Sequence, residues 1–446
     1  MKGRSRRQPY EAAGLESVPK YLNGMYRPSA EAYDVKLRDE RCGVADAVLI
    51  GPRIARLLMD VRQLLQSNAL DALQLLIRNP SVNPNLAPEE GCSEAAIAEE
   101  ARHWLVAHGV RAWTDEVAPG RLNCVGAVGK DDGRTLVFCA HLDTVGTAGM
   151  TIAPFEPRLE DGRVYGRGSY DMKGSAAAIM AAAVALAQES FNGRVLVSLV
   201  ADEEYASLGA QDFVKRYPAD ACVLTEPSEG AGSLVLAHKG FVWAEIETRG
   251  RAAHGSRWDL GVSAIGKMGR VIAALEQFDR EELRRRVHPL VGPASLHCAT
   301  IRGGTGLSTY SENCVMHVER RTLPGETPEQ VLRELADVVR SAGEVAEIRC
   351  TLHRPPLACD RDAPIASCVR EAITRVTGRP PEEIGVGYWM DAALFAAAGI
   401  PTVNYGPSGA GAHEPVEWVD LASVIKCSEV LIDVARRFCG QAAGSD

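Results

Sequence analysis

Apolar positions recur along this chain with two different periods, and the alternation between them divides it. Leu70–Ile77 carries apolar residues at helical spacing and stops at Asn79-Pro80. Ser93–His108 predicts a second amphipathic helix, ended by Gly109. Short apolar runs of strand type then take over at Asn123–Val128, Thr135–Ala140, Arg194–Ala201 and Ala221–Thr225, with Gly174–Gln188 helical between them. Strands alternating with helices predict a largely parallel sheet in an α/β domain. In such sheets, ligands gather at the carboxyl ends of the strands.

A second pattern starts near Ala237. Phe241–Thr248 alternates as a strand, Val262–Leu275 reads as a helix, and Ala294–Ile301 and Cys314–Arg321 read as strands. Pro328–Ser341 is a helix and Val345–Leu352 a strand. This order, strand-helix-strand-strand-helix-strand, is the split βαβ plan. After about residue 355 the first pattern returns, with Ile365–Val376 helical and Pro401–Tyr405 a strand. The expected division is therefore an N-terminal extension over 1–65, one domain built from 66–236 and 354–446, and a unit over 237–353 inserted into it. The extension is punctuated by Pro9, Pro19, Gly24 and Pro28, and predicts irregular structure apart from a helix near Pro52–Gln66.

Composition narrows the partners. The 446 residues are 24% charged and 46% apolar, an ordinary globular balance that suits two or three domains. A net charge of −9 without a basic face argues against nucleic acid. The longest apolar run, Ala176–Ala187, is Ala-rich and well short of the roughly 20 residues that a membrane span needs. Twelve cysteines lie singly, with no CxxC pair. That usage, and a basic start with no apolar stretch behind it, predict free thiols and a cytoplasmic location.

Polar clusters follow the apolar runs. His141-Leu142-Asp143 ends Leu136–Ala140, and a carboxylate two residues on can hold the second ring nitrogen of a metal-bound imidazole. Gly166-Arg167-Gly168-Ser169-Tyr170-Asp171-Met172-Lys173-Gly174 packs glycines around one acid just before a helix. Asp202-Glu203-Glu204 sets three acids in a row at a strand end, Thr225-Glu226-Pro227 repeats the placement, and Ala412-His413-Glu414-Pro415 lies near the C-terminus. Singly, each also fits a capping residue, a glycine turn or a solvated loop. Together they supply two histidines and three carboxylates, a donor set for Zn²⁺ or a similar ion. That is too many for one four-coordinate zinc. Two ions about 3.5–4 Å apart would share them, with a bridging hydroxide completing the charge balance.

These motifs, with Ala253-His254-Gly255-Ser256 between them, occur in the order seen in the M20 metallopeptidases, which the chain resembles over roughly 68–440. That family includes acetylornithine deacetylase, succinyl-diaminopimelate desuccinylase, carboxypeptidase G2 and aminoacylase. The resemblance implies a catalytic domain with a mixed, largely parallel sheet and an inserted ferredoxin-like α+β lid and dimerisation domain. It implies two divalent metals, Zn or Co, one held by His141 and Glu226, the other by Glu204 and His413, with Asp171 bridging. Asp143 would orient His141, Glu203 would be the general base, and the Asp171–Met172 peptide would be cis. His254 would stabilise the oxyanion, reaching across a homodimer, and Arg321 would bind a substrate carboxylate. Arg257 and Trp258 after His254, and Ser308 where many members have Asn, depart from the pattern on the substrate side. Tyr388 and Trp389 fit either a pocket wall or core packing. The implied activity is hydrolysis of an N-acyl amino acid, as in acetylornithine deacetylase. An exopeptidase acting on short peptides and a non-catalytic binding protein on the same scaffold are the alternatives.

Overall fold

The computed structural model describes residues 62–227 and 232–440. The irregular segment expected over 1–65 and most of the helix expected near Pro52–Gln66 lie outside the described residues. Residues 62–66 begin a helix that runs to 78.

A nine-stranded mixed sheet organises the larger part of the chain. Its centre is parallel: Arg194–Val200, Thr135–His141, Ala221–Leu224 and Thr402–Asn404 lie side by side in that order. Antiparallel neighbours flank them, Arg121–Gly129 and Arg111–Ala118 on one side, Leu234–His238 and Leu357–Ala358 on the other. Glu383–Val386 pairs parallel with Leu234–His238. The central strands read as continuous apolar runs because both faces are covered. Leu136, Phe138 and Ala140 point into one core, Val137 and Cys139 into the other. The first core is roofed by the helices Gly174–Ala187, Pro364–Thr377 and Leu421–Gly440, among others. Gly174–Ala187 is buried on nearly every side, and its alanines let it pack closely against Leu421–Gly440. Among the described residues no helix is long and apolar enough to cross a membrane.

The chain leaves this sheet after His238 and returns to it at Leu357. Between, it builds a four-stranded antiparallel sheet in the order Ser295–Gly303, Asn313–Thr322, Gly240–Arg249, Ala346–Arg354. The helices Ala264–Glu281 and Pro328–Ser341 start at the caps Ser263 and Thr327, whose side chains accept from the third residue on. They contribute Met268, Leu275, Leu335 and Val339 to a separate apolar core beneath one face of the sheet. In Asn313–Thr322, alternation buries Cys314, Met316 and Val318 in this core. Arg320 is buried on the same face and bonds Glu326 at 2.6 Å, while Arg321 takes the other face.

Candidate metal centre

The three adjacent parallel strands end side by side, and their ends carry the chemistry. His141 closes the middle strand; Glu203 and Glu204 follow its neighbour Arg194–Val200; Glu226 follows its other neighbour, Ala221–Leu224. Asp171 arrives from the turn Ser169–Lys173, where the Asp171–Met172 peptide is cis. Gly168 permits that turn: its φ is +75°, and a Cβ there would lie 2.6 Å from Thr144 Cγ2. His413, at φ +62°, comes from the loop before Trp418–Asp420.

Asp171 sits between the two histidines. Its Oδ1 is 3.2 Å from His141 Nε2, and its Oδ2 is 3.3 Å from His413 Nε2. His141 Nε2 is also 3.5 Å from Glu226 Oε1, and His413 Nε2 is 3.1 Å from Glu204 Oε1. One carboxylate thus faces two imidazoles with different oxygens, and each imidazole has its own second acid. His141 Nδ1 lies 2.9 Å from the Asp143 carbonyl oxygen, an acceptor that places the proton on Nδ1 and turns Nε2 toward the acids. Donor atoms of His141, Asp171 and Glu204, and of His141, Glu203 and Glu226, lie within 4.8 Å of one another. His413 joins them through Asp171 and Glu204, so the five residues expected to hold metal lie close together.

The electrostatics ask for cations. Burial pushes the Glu203 and Glu226 carboxyls well above the usual range and Glu204 in the same direction, and neighbouring acids add to each shift. Burial opposes a low value at Asp171, but hydrogen bonds from both histidines hold it below the ordinary range. Burial would lower His141, yet Glu226 and Asp171 outweigh it and raise the imidazole. His413 is pushed up to about 10 by its bonds to Asp171 and Glu204. So many acids can ionise together only beside compensating positive charge. The oxygen and imidazole donors, with a carboxylate turned to both sides, fit two divalent ions.

A cavity of about 350 Å³ opens on the cluster. Besides Asp171, Glu203, Glu204, Glu226 and His413, its lining includes Tyr170, Pro227, Tyr388 and Trp389. Tyr388 is exposed and serves as wall, its hydroxyl donating to the Pro227 carbonyl at 3.0 Å, while Trp389 is wall and also packs against a core cluster. The inserted sheet's candidates are elsewhere. His254 is exposed, its ring 2.8 Å from Ser256 Oγ, and its loop lies against Ser308, whose carbonyl accepts from Gly255 N–H at 2.7 Å. Arg321 donates to Glu319 at 2.7 Å and lies 5.3 Å over the Phe241 ring. Neither His254, Ser308 nor Arg321 lines the cavity of its own chain among the described residues.

One supporting residue escapes sequence reasoning altogether. Glu417 is buried, pairs with Arg167 at 2.8 Å, and accepts the N–H groups of Gly168, Tyr170 and Asp171 at 2.8–3.0 Å. It fixes the turn that presents Asp171 from about 250 residues away, and nothing in its neighbourhood of the sequence marks it.

The sequence model of peptidase family M20/M25/M40 matches residues 137–437, a span that starts before His141 and ends beyond His413. The chain belongs to this family. It is a metal-dependent amidohydrolase of the M20 type. The acetylornithine deacetylase of Vibrio vulnificus (strain CMCP6) is 28% identical over 387 residues, covering 83% of this chain and 98% of the relative. Two solved M20 structures share the fold. A metallo-carboxypeptidase from Sulfolobus solfataricus has a TM-score of 0.69 at 18% identity, covering 83% of this chain and 99% of the other. A dinuclear metal-binding peptidase from Bacillus subtilis has a TM-score of 0.66 at 16% identity, covering 84% of this chain and 98% of the other.

Proposed function

We propose that this M20 chain is a dinuclear zinc or cobalt deacylase that cleaves the amide bond of an N-acyl amino acid. The observation that carries the reading is the pair of Asp171 oxygens facing His141 and His413, with Glu203 on the wall of the same cavity. In it, His141, Asp171, Glu204, Glu226 and His413 are the residues that would hold the two ions. The chemistry such ions would supply when bound is polarisation of an amide carbonyl and a water nucleophile near neutral pH. Glu203 takes the proton of the attacking water and returns it to the leaving amine. Asp143 keeps His141 oriented through contacts at the Nδ1 side of the ring. The deacetylase named among the relatives supports the N-acyl amino acid class. An exopeptidase would use the same groups, as the peptidase names of the structural neighbours suggest.

The inserted unit over 237–353 is assigned the lid and dimerisation role, and 66–236 with 354–446 the catalytic role. His254 is assigned to the active site of the other subunit of a homodimer. Its exposure, away from its own chain's cavity, supports that reading, as does the exposed apolar surface of Trp258 and Leu307 around it. Arg321 is assigned to the substrate carboxylate, and Ser308, at the opposite end of the same hairpin beside the His254 loop, to the substrate-binding side. The described cysteines are all free, which suits a reducing cytoplasm.

The test is a panel of N-acyl amino acids and dipeptides offered to the full chain loaded with Zn²⁺ or Co²⁺. Release of free amino acid from acylated substrates faster than from dipeptides is the expected result. Faster dipeptide cleavage would move the reading to an exopeptidase, and no turnover of either class would end both.

A further inference from the structure

The turn that carries Glu203 and Glu204 has an unfavourable backbone. It opens at Asp202 with φ +74° and closes at Ser207 with φ +57°, both non-glycine residues in the left-handed region. Such a conformation is costly for a residue with a Cβ and persists only where its surroundings over-determine it. The surroundings here are a buried polar chain outside the cavity. Asp143 accepts the Glu203 N–H at 3.0 Å on one oxygen and the Glu204 N–H at 3.1 Å on the other. Asn83 Nδ2 donates to Asp143 Oδ2 at 2.7 Å and to Asp202 Oδ1 at 3.0 Å. Arg121 Nη2 donates to the same Asp202 oxygen at 2.7 Å, and its Nε and Nη2 both bond Glu94 at 2.5 Å. Glu94 in turn accepts the Asp202 N–H at 3.1 Å. All five side chains are buried.

Asn83 is the link in this chain. Its amide has two N–H donors, and each meets a different buried carboxylate. One of these, Asp143, belongs to the His141 loop; the other opens the Glu203 turn. The residue is itself held in place. Asn83 N–H donates to the Thr144 carbonyl at 2.8 Å, Thr144 N–H to the Ser81 carbonyl at 3.0 Å, and Ser81 Oγ to the Leu142 carbonyl at 2.7 Å. Its Oδ1 accepts from Asn85 N–H at 3.0 Å. An aspartate of the same shape would offer no donor, and an apolar residue would leave two buried carboxylates short of a partner.

We infer that Asn83, backed by the buried Arg121–Glu94 pair, is a positioning residue that sets the direction of Glu203 and Glu204 relative to His141. It touches neither substrate nor metal and acts through Asp143 and Asp202. The inference rests on the roles given above to Glu203 and Glu204. Substitution of Asn83 therefore alters the site more than it alters the fold.

The test uses the full chain with two Co²⁺ bound, as parent, Asn83→Ser with one donor left, and Asn83→Ala with none. Three readouts are compared: the thermal midpoint, the visible Co²⁺ absorption with metal stoichiometry, and kcat against KM on the best substrate of the panel. Supporting partners beyond the ligands typically cost about 10- to 100-fold in affinity or activity when removed. The expected result is a fall in kcat of that size for Asn83→Ala, KM within about threefold, a changed Co²⁺ spectrum at unchanged stoichiometry, and intermediate values for Asn83→Ser. A lower thermal midpoint with unchanged spectrum and unchanged kcat would overturn the inference. If Asn83→Ala does not fold, Asn83→Ser decides on the same criteria. If the parent cleaves no substrate, the functional reading fails by itself, and the Co²⁺ spectrum still decides the positioning role.

Discussion

Burial works in opposite directions on acids and bases, and both signs occur within a few strand ends of one another. At the metal centre it raises Glu203, Glu204 and Glu226. At the end of Leu234–His238 it lowers His238 to about 4, only partly opposed by the bond to the Lys239 carbonyl. An unfolded chain protonates this histidine near its ordinary 6.5, whereas the folded chain resists down to about 4. The unfolded state therefore gains protons first, and stability falls as pH drops below 6.5, with no contribution above it. Between pH 7 and pH 5 the expected loss is about 2 kcal/mol from this group. Urea midpoints of the metal-free parent and of His238→Phe at the two pH values measure it. The variant should lose less stability than the parent, and equal losses would show that His238 is not responsible.

At the scale of elements, the apolar pattern located most strands and helices to within a few residues. Pro328–Ser341 coincides at both ends, because Thr327 and Pro328 form an explicit start signal. Other elements gave no such signal. Arg111–Ala118 is an outer strand whose residues are half-buried or exposed, so neither a continuous apolar run nor a clean alternation marks it. The loops at strand ends depend on contacts that local pattern does not encode. After Thr402–Asn404, Gly406 passes so close to the Thr225 and Glu226 carbonyls that an added Cβ would collide with both. Gly406→Ala should therefore displace Glu226 while leaving the sheet in place. The expected outcome is one weakened metal site, read as about one tightly held ion per chain after dialysis, with an unchanged far-ultraviolet dichroism spectrum. Two ions held as tightly as in the parent would contradict the argument.

For the whole molecule, assembly decides where His254 acts. Within one chain it lies on an exposed loop of the inserted unit, and the cavity is lined without it. If the partner subunit supplies it, two inactive variants can repair each other. Glu203→Gln lacks the base but keeps His254, and His254→Ala has the reverse defect. A mixed dimer then contains one intact site, so equal mixing and subunit exchange should restore about a quarter of the parental activity. No recovery after demonstrated exchange would place His254 in its own subunit's site. Sedimentation of the active protein as a dimer is the accompanying expectation.

The sequence by itself determined the α/β class, the split βαβ order of residues 240–354 and the histidines and acids that the fold gathers into one cluster. Apolar periodicity follows from which faces are covered. The donor residues stand out because charges at the ends of apolar strands need a compensating partner. Tertiary structure alone decided which oxygen of Asp171 faces which histidine, and which side chains hold those groups still. Asn83 reaches Asp143 across 60 residues, Arg121 reaches Asp202 across 81 and Glu417 reaches Gly168 across 249, so their neighbours in sequence carry no trace of the task. Hydrogen-bond partnership depends on distance in space, and only the packed sheet brings these polar groups within reach of the site.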